Sequence, residues 1–198
     1  MSKIIFHCTD LDSMIWYRKL EDMTVDDMRG RLLRTEPANE KMKMGTVFHA
    51  ILEDPPDEIN EVEKDGFKFK VTCNSSIQLP QIREIRANKT YSIAGMDITL
   101  SGGCDGITGN KVSDHKLTFR PNPDTYFNSF QWRAYLDIFE ADAFKYIIYS
   151  AKEKNGIVTI HDVSTLSMYR YPEMVDDLKR GIFDLVEFCQ EHVPEKFI

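Results

Sequence analysis

Apolar positions set the first part of the chain to a helical period. Leu11, Met14, Ile15 and Leu20 recur at helical spacing, which predicts a helix opening at Asp10 or Asp12. A second helix is expected from Thr24, where Thr24-Val25-Asp26-Asp27 resembles a capping box with Asp in place of the usual Glu. Between the loop RTEPANEK and Pro55-Pro56, residues 41 to 53 read as a third helix, with Val47, Phe48, Ile51 and Leu52 on its core-facing side. The acidic stretch PPDEINEVEKDG then reads as a solvated connection. Beyond it the period shortens. FKFKVTC alternates strictly and predicts a strand, LPQIREIRANK reads as a short helix, and YSIAGMDITLSGGCDGIT and NKVSDHKLTF read as a meander. Thr108-Gly109-Asn110 supplies residues that tolerate positive φ, so a hairpin is expected there.

Helical spacing returns at Phe127, Phe130, Ala134, Ile138 and Ala141, predicting one helix with Asp124 as N-cap. AFKYIIYSAKE and GIVTIHDVS read as two strands around a Lys154-Asn155-Gly156 turn. The last segment, from Pro172 to near Pro194, carries Met174, Leu178, Ile182, Leu185, Val186 and Cys189 on one side of a helix. This order predicts one α/β domain over residues 1 to 198, with a central mixed β-sheet flanked by helices. Within it, 10–40 is an N-terminal helical region, about 41–165 the core and 172–193 a C-terminal helix.

Composition narrows the function. At 198 residues, 42% hydrophobic and 29% charged, the chain suits one globular core. A formal net charge of −7 argues against coating nucleic acid through bulk charge, while leaving room for a local basic groove around an acidic centre. Cys8, Cys73, Cys104 and Cys189 are far apart without a C-x-x-C pair, so they suggest neither a zinc knuckle nor a disulfide scaffold, and reduced thiols are expected. The opening MSKIIFHCTD is too short for a signal peptide and no run approaches a membrane span. A soluble, intracellular protein without a membrane partner is the expectation.

The hairpin carries the chemistry. Asp105 and Asp114 fall almost opposite each other across the 108–110 turn. Like charges facing across a ladder are destabilising unless something neutralises them, and a divalent cation does so. Alternation along the strand turns Asp114 and Lys116 to one face and His115 to the other. Oxygen ligands of this kind suit Mg²⁺ or Mn²⁺, and Lys116 beside them can orient a water and offset charge at phosphorus. His49 and Glu53, four apart, share a helix face, as do Gln131 and Tyr135. Arg29, Arg31, Arg34, Lys41 and Lys43 precede the His49 helix, Arg83, Arg86 and Lys89 precede the hairpin, and Arg120 follows it. As a group they are candidates for contacts to a phosphate backbone, while each alone also reads as a solvated helix face.

Four pieces in this order, GTVFHAILE, GGCDGI, VSDHKLT and QWRAY, resemble the PD-(D/E)XK nuclease superfamily and its RecB-like branch, which includes lambda-type phage exonucleases. The motifs span residues 45 to 135, about half the chain. The resemblance implies a restriction-endonuclease-like core and a metal-dependent DNA exonuclease of phage recombination or DNA processing, cleaving with metal-activated water. It implies Asp105, Asp114 and the His115 backbone carbonyl as ligands of Mg²⁺, or of Mn²⁺ in its place, with His49 approaching the metal or its water. Lys116 becomes the catalytic lysine, Glu53 a helper, and Gln131 and Tyr135 the residues that hold the lysine and the substrate strand. The expected partner is DNA, in linear duplex form. A single-strand annealing or recombinase partner and a homo-oligomer stay open, and the implied location is the cytoplasm, that of a host if the chain is phage-encoded. No G-x-x-x-x-G-K-[ST] loop and no cysteine cluster occur, so neither a nucleotide nor an iron–sulfur centre is expected. An endonuclease or nicking repair enzyme on the same fold, and a non-catalytic DNA-binding or anti-defence protein, remain the alternatives.

Overall fold

The computed structural model describes residues 4–19, 23–55, 60–73, 80 and 82–197. A short strand β1 (Ile4–His7) leads directly into α1 (Cys8–Lys19), and α2 (Val25–Leu33) and α3 (Glu40–Glu53) follow. The strands β2 (Glu61–Lys64), β3 (Phe67–Val71), β4 (Ile82–Ile93), β5 (Met96–Thr108) and β6 (Lys111–Thr118) come next. Helices α4 (Pro123–Asn128) and α5 (Gln131–Ile138) precede β7 (Ala143–Lys154) and β8 (Ile157–Tyr169), and α6 (Met174–His192) ends in a 3₁₀ turn at Pro194–Phe197. All eight strands form one mixed sheet in the order β1-β5-β6-β7-β8-β3-β2, with β4 also paired to β5. The expected single α/β domain with a central mixed sheet and flanking helices is what the chain forms. Among the described residues no helix is long and apolar enough to cross a membrane.

The sheet separates two cores. On one face α1, α2, α5 and α6 bury Leu11, Met28, Leu136 and Leu185 against Leu100, Phe144 and Tyr146. On the other, α3 buries Phe48 and Ile51 against Phe69, Tyr149 and Val158. Local signals explain much of this. The Thr24–Asp27 capping box closes the start of α2, and Asn39 caps α3 by accepting the N–H of Met42.

Several expectations are corrected. LPQIREIRANK contributes to a strand, not a helix: Ile85, Ala87, Tyr91 and Ile93 turn inward at even spacing, and β4 pairs with β5 from Ile82 to Ile93 except at Glu84. The acidic connection contains β2, which pairs with β3, while residues 56–59 lie outside the described part. The single helix expected across 124–141 is two, broken at Ser129. Asn122 rather than Asp124 is the N-cap of α4, because Pro123 occupies the first helical position and Asn122 accepts the N–H of Asp124. The strand β1, too short to show a period, was not legible.

The sheet forks at β5. Strand β4 covers one edge of β5, while the other edge is covered first by β1, at Ile98–Ser101, and then by β6, from Gly106 to Thr108. Residues 102–105 lie between these two partners, on backbone that neither β1 nor β6 pairs. The β4 ladder also skips the rung at Asp105, opposite Glu84, whose φ is +51°. Asp105 therefore sits where the ladders on both sides are interrupted.

Candidate active site

The fork gathers the side chains singled out by the sequence motifs. In β5–β6 register Asp105 stands opposite Asp114, as the hairpin arithmetic expects, but the ladder stops one rung earlier, at Gly106 and Ser113. The Asp105 carboxylate takes the place of the missing rung: its Oδ2 accepts the backbone N–H of His115 at 2.5 Å. The same oxygen lies 3.4 Å from Nδ1 of His49, which α3 delivers from the opposite face.

Alternation along β6 holds as expected. His115 turns toward α3, where its Nδ1 shares a hydrogen bond of 3.0 Å with the Tyr149 hydroxyl. Asp114 and Lys116 turn toward α5. Lys116 Nζ is 2.6 Å from Asp114 Oδ2, and Gln131 Nε2 donates to Asp114 Oδ1 at 3.2 Å. Gln131 also donates to the Tyr135 hydroxyl at 3.1 Å, and that hydroxyl donates to the Gly103 carbonyl at 2.5 Å. Tyr135 thus satisfies a carbonyl of the β5 segment that neither β1 nor β6 pairs. Gly102 lets the ring pack closely, because a Cβ there would lie 3.0 Å from the Tyr135 ring and 3.2 Å from the Cys8 sulfur and would make both give way.

Burial makes the charges interdependent. Asp114 is 3% exposed, and desolvation pushes its carboxyl up to about 6 despite the lysine beside it. Burial would also raise Asp105, but the hydrogen bond and charge of His49, the His115 N–H and Lys116 outweigh it and hold the group low. Burial opposes the charged forms of His49 and Lys116, yet Asp105 raises the first and Asp114 the second. His115, buried without a counter-charge close enough to compensate, is pushed down to about 4 and is neutral at pH 7.

Asp114 Oδ2 is the one buried side-chain oxygen or nitrogen among the described residues that receives no hydrogen bond. The Lys116 ammonium, 2.6 Å away, meets this oxygen as an ion pair. Asp114 is in register with Asp105 across the interrupted ladder, and an oxygen met by an ammonium alone fits a hard cation. No three Cys, His, Asp or Glu side chains converge as a self-sufficient metal cage among the described residues. Two carboxylates and the backbone carbonyl of His115 suit Mg²⁺, which keeps several waters, better than Zn²⁺.

Residues without a clear sequence signal complete the arrangement. Asp12 of α1 accepts the Ser129 hydroxyl at 2.7 Å and the N–H of Phe130 at 2.6 Å. It caps α5 from another helix, since α5 has no side-chain cap of its own. Glu84 lines a void of about 10 Å³ with His49, Glu53 and Asp105, a size on the scale of one water. Glu53 therefore shares this corner with His49, as its helix spacing expects.

The basic candidates are mostly engaged within the chain. Arg29 pairs with Glu195, Arg31 with Glu36, Arg34 with buried Asp10 and Lys89 with Asp137. Arg83 donates to the Glu53 carbonyl and Lys41 lies over the Phe119 ring. Lys43 and Arg120 are exposed, and Arg86 runs beside Gly103 at the fork.

No family model matches the sequence, and no curated protein matches it either. Solved structures do. The chain is similar to SSO0001 at 12% identity and a TM-score of 0.54, covering all of this chain and 87% of that one. It is similar to a phage related exonuclease from Haemophilus somnus 129PT at 11% identity and a TM-score of 0.52, covering 98% and 97%. It is also similar to LHK-Exo, an alkaline exonuclease from Laribacter hongkongensis, in its complex with dAMP, at 13% identity and a TM-score of 0.50, covering 96% and 91%. At such identities the likeness establishes the fold, and it extends over nearly the whole chain.

Proposed function

We propose that this chain is a divalent-metal-dependent DNA exonuclease that hydrolyses phosphodiester bonds at the β5–β6 fork. The observation that carries the reading is the buried, hydrogen-bond-poor Asp114 Oδ2 beside Lys116 and across from Asp105. A shared fold with two proteins named as exonucleases agrees with it. Asp105, Asp114 and the His115 carbonyl would hold Mg²⁺ or Mn²⁺, with His49 beside them. When bound, such an ion supplies Lewis-acid polarisation of the phosphate and activation of water.

The protein's own groups do the rest. Lys116, kept protonated by Asp114, orients the attacking water and offsets charge building on the phosphoryl oxygens. Gln131 donates to Asp114 Oδ1 from α5 and so fixes the carboxylate whose other oxygen meets Lys116. His49, with Asp105 as its hydrogen-bonding partner, holds a proton near the water on the α3 side.

The test is digestion of linear duplex, linear single-stranded and closed circular DNA with Mg²⁺, Mn²⁺ or EDTA. Loss of linear DNA only with metal is expected, along with loss of cleavage in Asp114→Ala and Lys116→Ala at retained folding. Cleavage of the circle would make the enzyme an endonuclease. Undiminished cleavage in either variant would sink the assignment of the site.

A further inference from the structure

One oxygen at the fork has two claimants. Lys116 Nζ is 2.6 Å from Asp114 Oδ2, the oxygen that the proposed function gives to a divalent cation. An ammonium and a divalent cation on one carboxylate oxygen repel, so Lys116 has to give up this contact when the cation takes it. We infer that Asp12 of α1 is a positioning residue: it receives the Lys116 ammonium when Asp114 turns to the cation, and so keeps the lysine beside the reacting phosphate. The inference rests on the metal reading of the fork and adds a counter-charge from outside the motif-bearing residues 45 to 135.

Asp12 is a carboxylate short of a cation. It accepts the Ser129 hydroxyl and the Phe130 N–H, both neutral donors, and it joins none of the ion pairs among the described residues. Two accepted bonds leave lone pairs on both oxygens for a further donor. Burial pushes its carboxyl up, the Ser129 and Phe130 bonds pull it back, and Lys116 is a cation that adds to them. An ammonium arriving here would offset the cost of a desolvated charge.

A continuous set of contacts joins the two residues. Asp12 and Lys116 line one cavity. Lys116 Nζ lies 6.0 Å from the centroid of the Tyr146 ring, the Tyr146 hydroxyl donates to Ser129 Oγ at 3.2 Å, and Ser129 Oγ donates to Asp12 Oδ2 at 2.7 Å. A swing of the flexible four-carbon lysine stem across this ring carries the ammonium from one carboxylate toward the other, over a surface that attracts cations. The other charged groups on the wall compete poorly. Asp124 is exposed in the first turn of α4 and Lys19 is exposed at the end of α1, so water screens both.

Titration of the full chain with Mn²⁺ in the absence of DNA, read by the paramagnetic resonance of the free ion, tests this apart from catalysis. Asp114→Ala identifies the site by abolishing it. Lys116→Met should bind Mn²⁺ more tightly than wild type, having no ammonium to displace. Asp12→Asn keeps an amide oxygen for the Phe130 N–H and removes the charge. It should weaken Mn²⁺ binding about tenfold more in the wild-type background than in Lys116→Met, a coupling within the range of double-mutant cycles for residues in one network. Equal losses in the two backgrounds would mean that Asp12 acts on the ion by its own charge, and would overturn the inference while leaving the metal site standing. Ser129→Ala loosens the same start of α5 without a change of charge and should weaken Mn²⁺ less than Asp12→Asn does; a loss as large would assign the effect to the helix cap and overturn the inference too. Should Asp12→Asn fail to fold, proton NMR of the wild type decides: adding Mg²⁺ should bring the Lys116 ε-methylene into contact with Asp12, and contacts unchanged by saturating Mg²⁺ would overturn the inference. Mn²⁺ binding indifferent to Asp114→Ala would remove the metal reading of the fork and this inference with it.

Discussion

The two faces of the sheet hold their halves of the site by different means. On the α5 face, Gln131 reaches Asp114 and Tyr135, Tyr135 reaches the Gly103 carbonyl, and Asp12 pins the start of the helix. Every link is a hydrogen bond between mostly buried groups, where a lost partner is costly. On the α3 face, Phe48, Ile51 and Leu52 anchor the helix by apolar packing, and His49 meets Asp105 at 3.4 Å with 29% of its side chain exposed. Packing of this kind fixes where the helix lies but leaves a polar tip free to adjust. The α5 face thus fixes a carboxylate and a lysine, while the α3 face presents a histidine that can follow the ligand.

The largest expected effect exploits opposite titrations on the two faces. His115, on the α3 side, is pushed from 6.5 down to about 4, so the unfolded chain binds its proton first and stability falls as pH drops through that window. Asp114, on the α5 side, is pushed from 3.8 up to about 6, so the folded chain binds its proton first and stability falls as pH rises through nearly the same window. Each is worth about 3 kcal/mol at 1.36 kcal/mol per pH unit, and in the wild type they offset. Measured in EDTA by urea unfolding at pH 7 and pH 4, Asp114→Asn should lose about 3 kcal/mol more than wild type on acidification. His115→Gln should lose about 3 kcal/mol less. Parallel pH profiles for the two variants would end the contrast.

Removing one polar group from each face comes next. Gln131→Ala leaves Asp114 Oδ1 buried without its donor, which should cost about 1–3 kcal/mol and lower cleavage by about a hundredfold. His49→Ala should cost less than about 1 kcal/mol, because its partly exposed ion pair is screened by water. Urea midpoints and kcat/KM for the pair check both; equal stability losses would mean that the faces are held alike.

How much of this could be read from the chain follows the same division. Groups close in sequence were legible: Asp114, His115 and Lys116 alternate as a strand demands, the Thr24 box caps its helix, and the four-residue spacing of Gln131 and Tyr135 predicts their contact. Links across long separations were not. Asp12 looked like a cap for its own helix, and only the fold brings it to Phe130, 118 residues away. The fork was hidden because β1 is four residues long and β4 carried an irregular run of Arg and Ile that resembled a helix. Asp12→Ala should cost about 1–2 kcal/mol, the value of a lost helix cap, and Asp12→Asn less, since its amide oxygen still accepts the Phe130 N–H. Thermal unfolding of the two distinguishes the cap from a simple change of charge.

The smallest effect tests strain on the α3 side. Glu84 stands opposite Asp105 where the β4 ladder skips a rung, and it holds the left-handed backbone that favours glycine. Its carboxyl is raised by burial and by the charges of Glu53 and Asp105, so the position is unfavourable in backbone and in electrostatics. Glu84→Gly and Glu84→Ala remove the same carboxylate, but only glycine relaxes the backbone. Glycine should therefore be the more stable variant by about 1 kcal/mol, the cost of left-handed φ for a residue with a Cβ. Cleavage should fall by the same factor in both if the carboxylate serves the water beside His49. Equal stability would remove the strain argument; unequal cleavage would mean that the backbone at the skipped rung, rather than the carboxylate, positions Asp105.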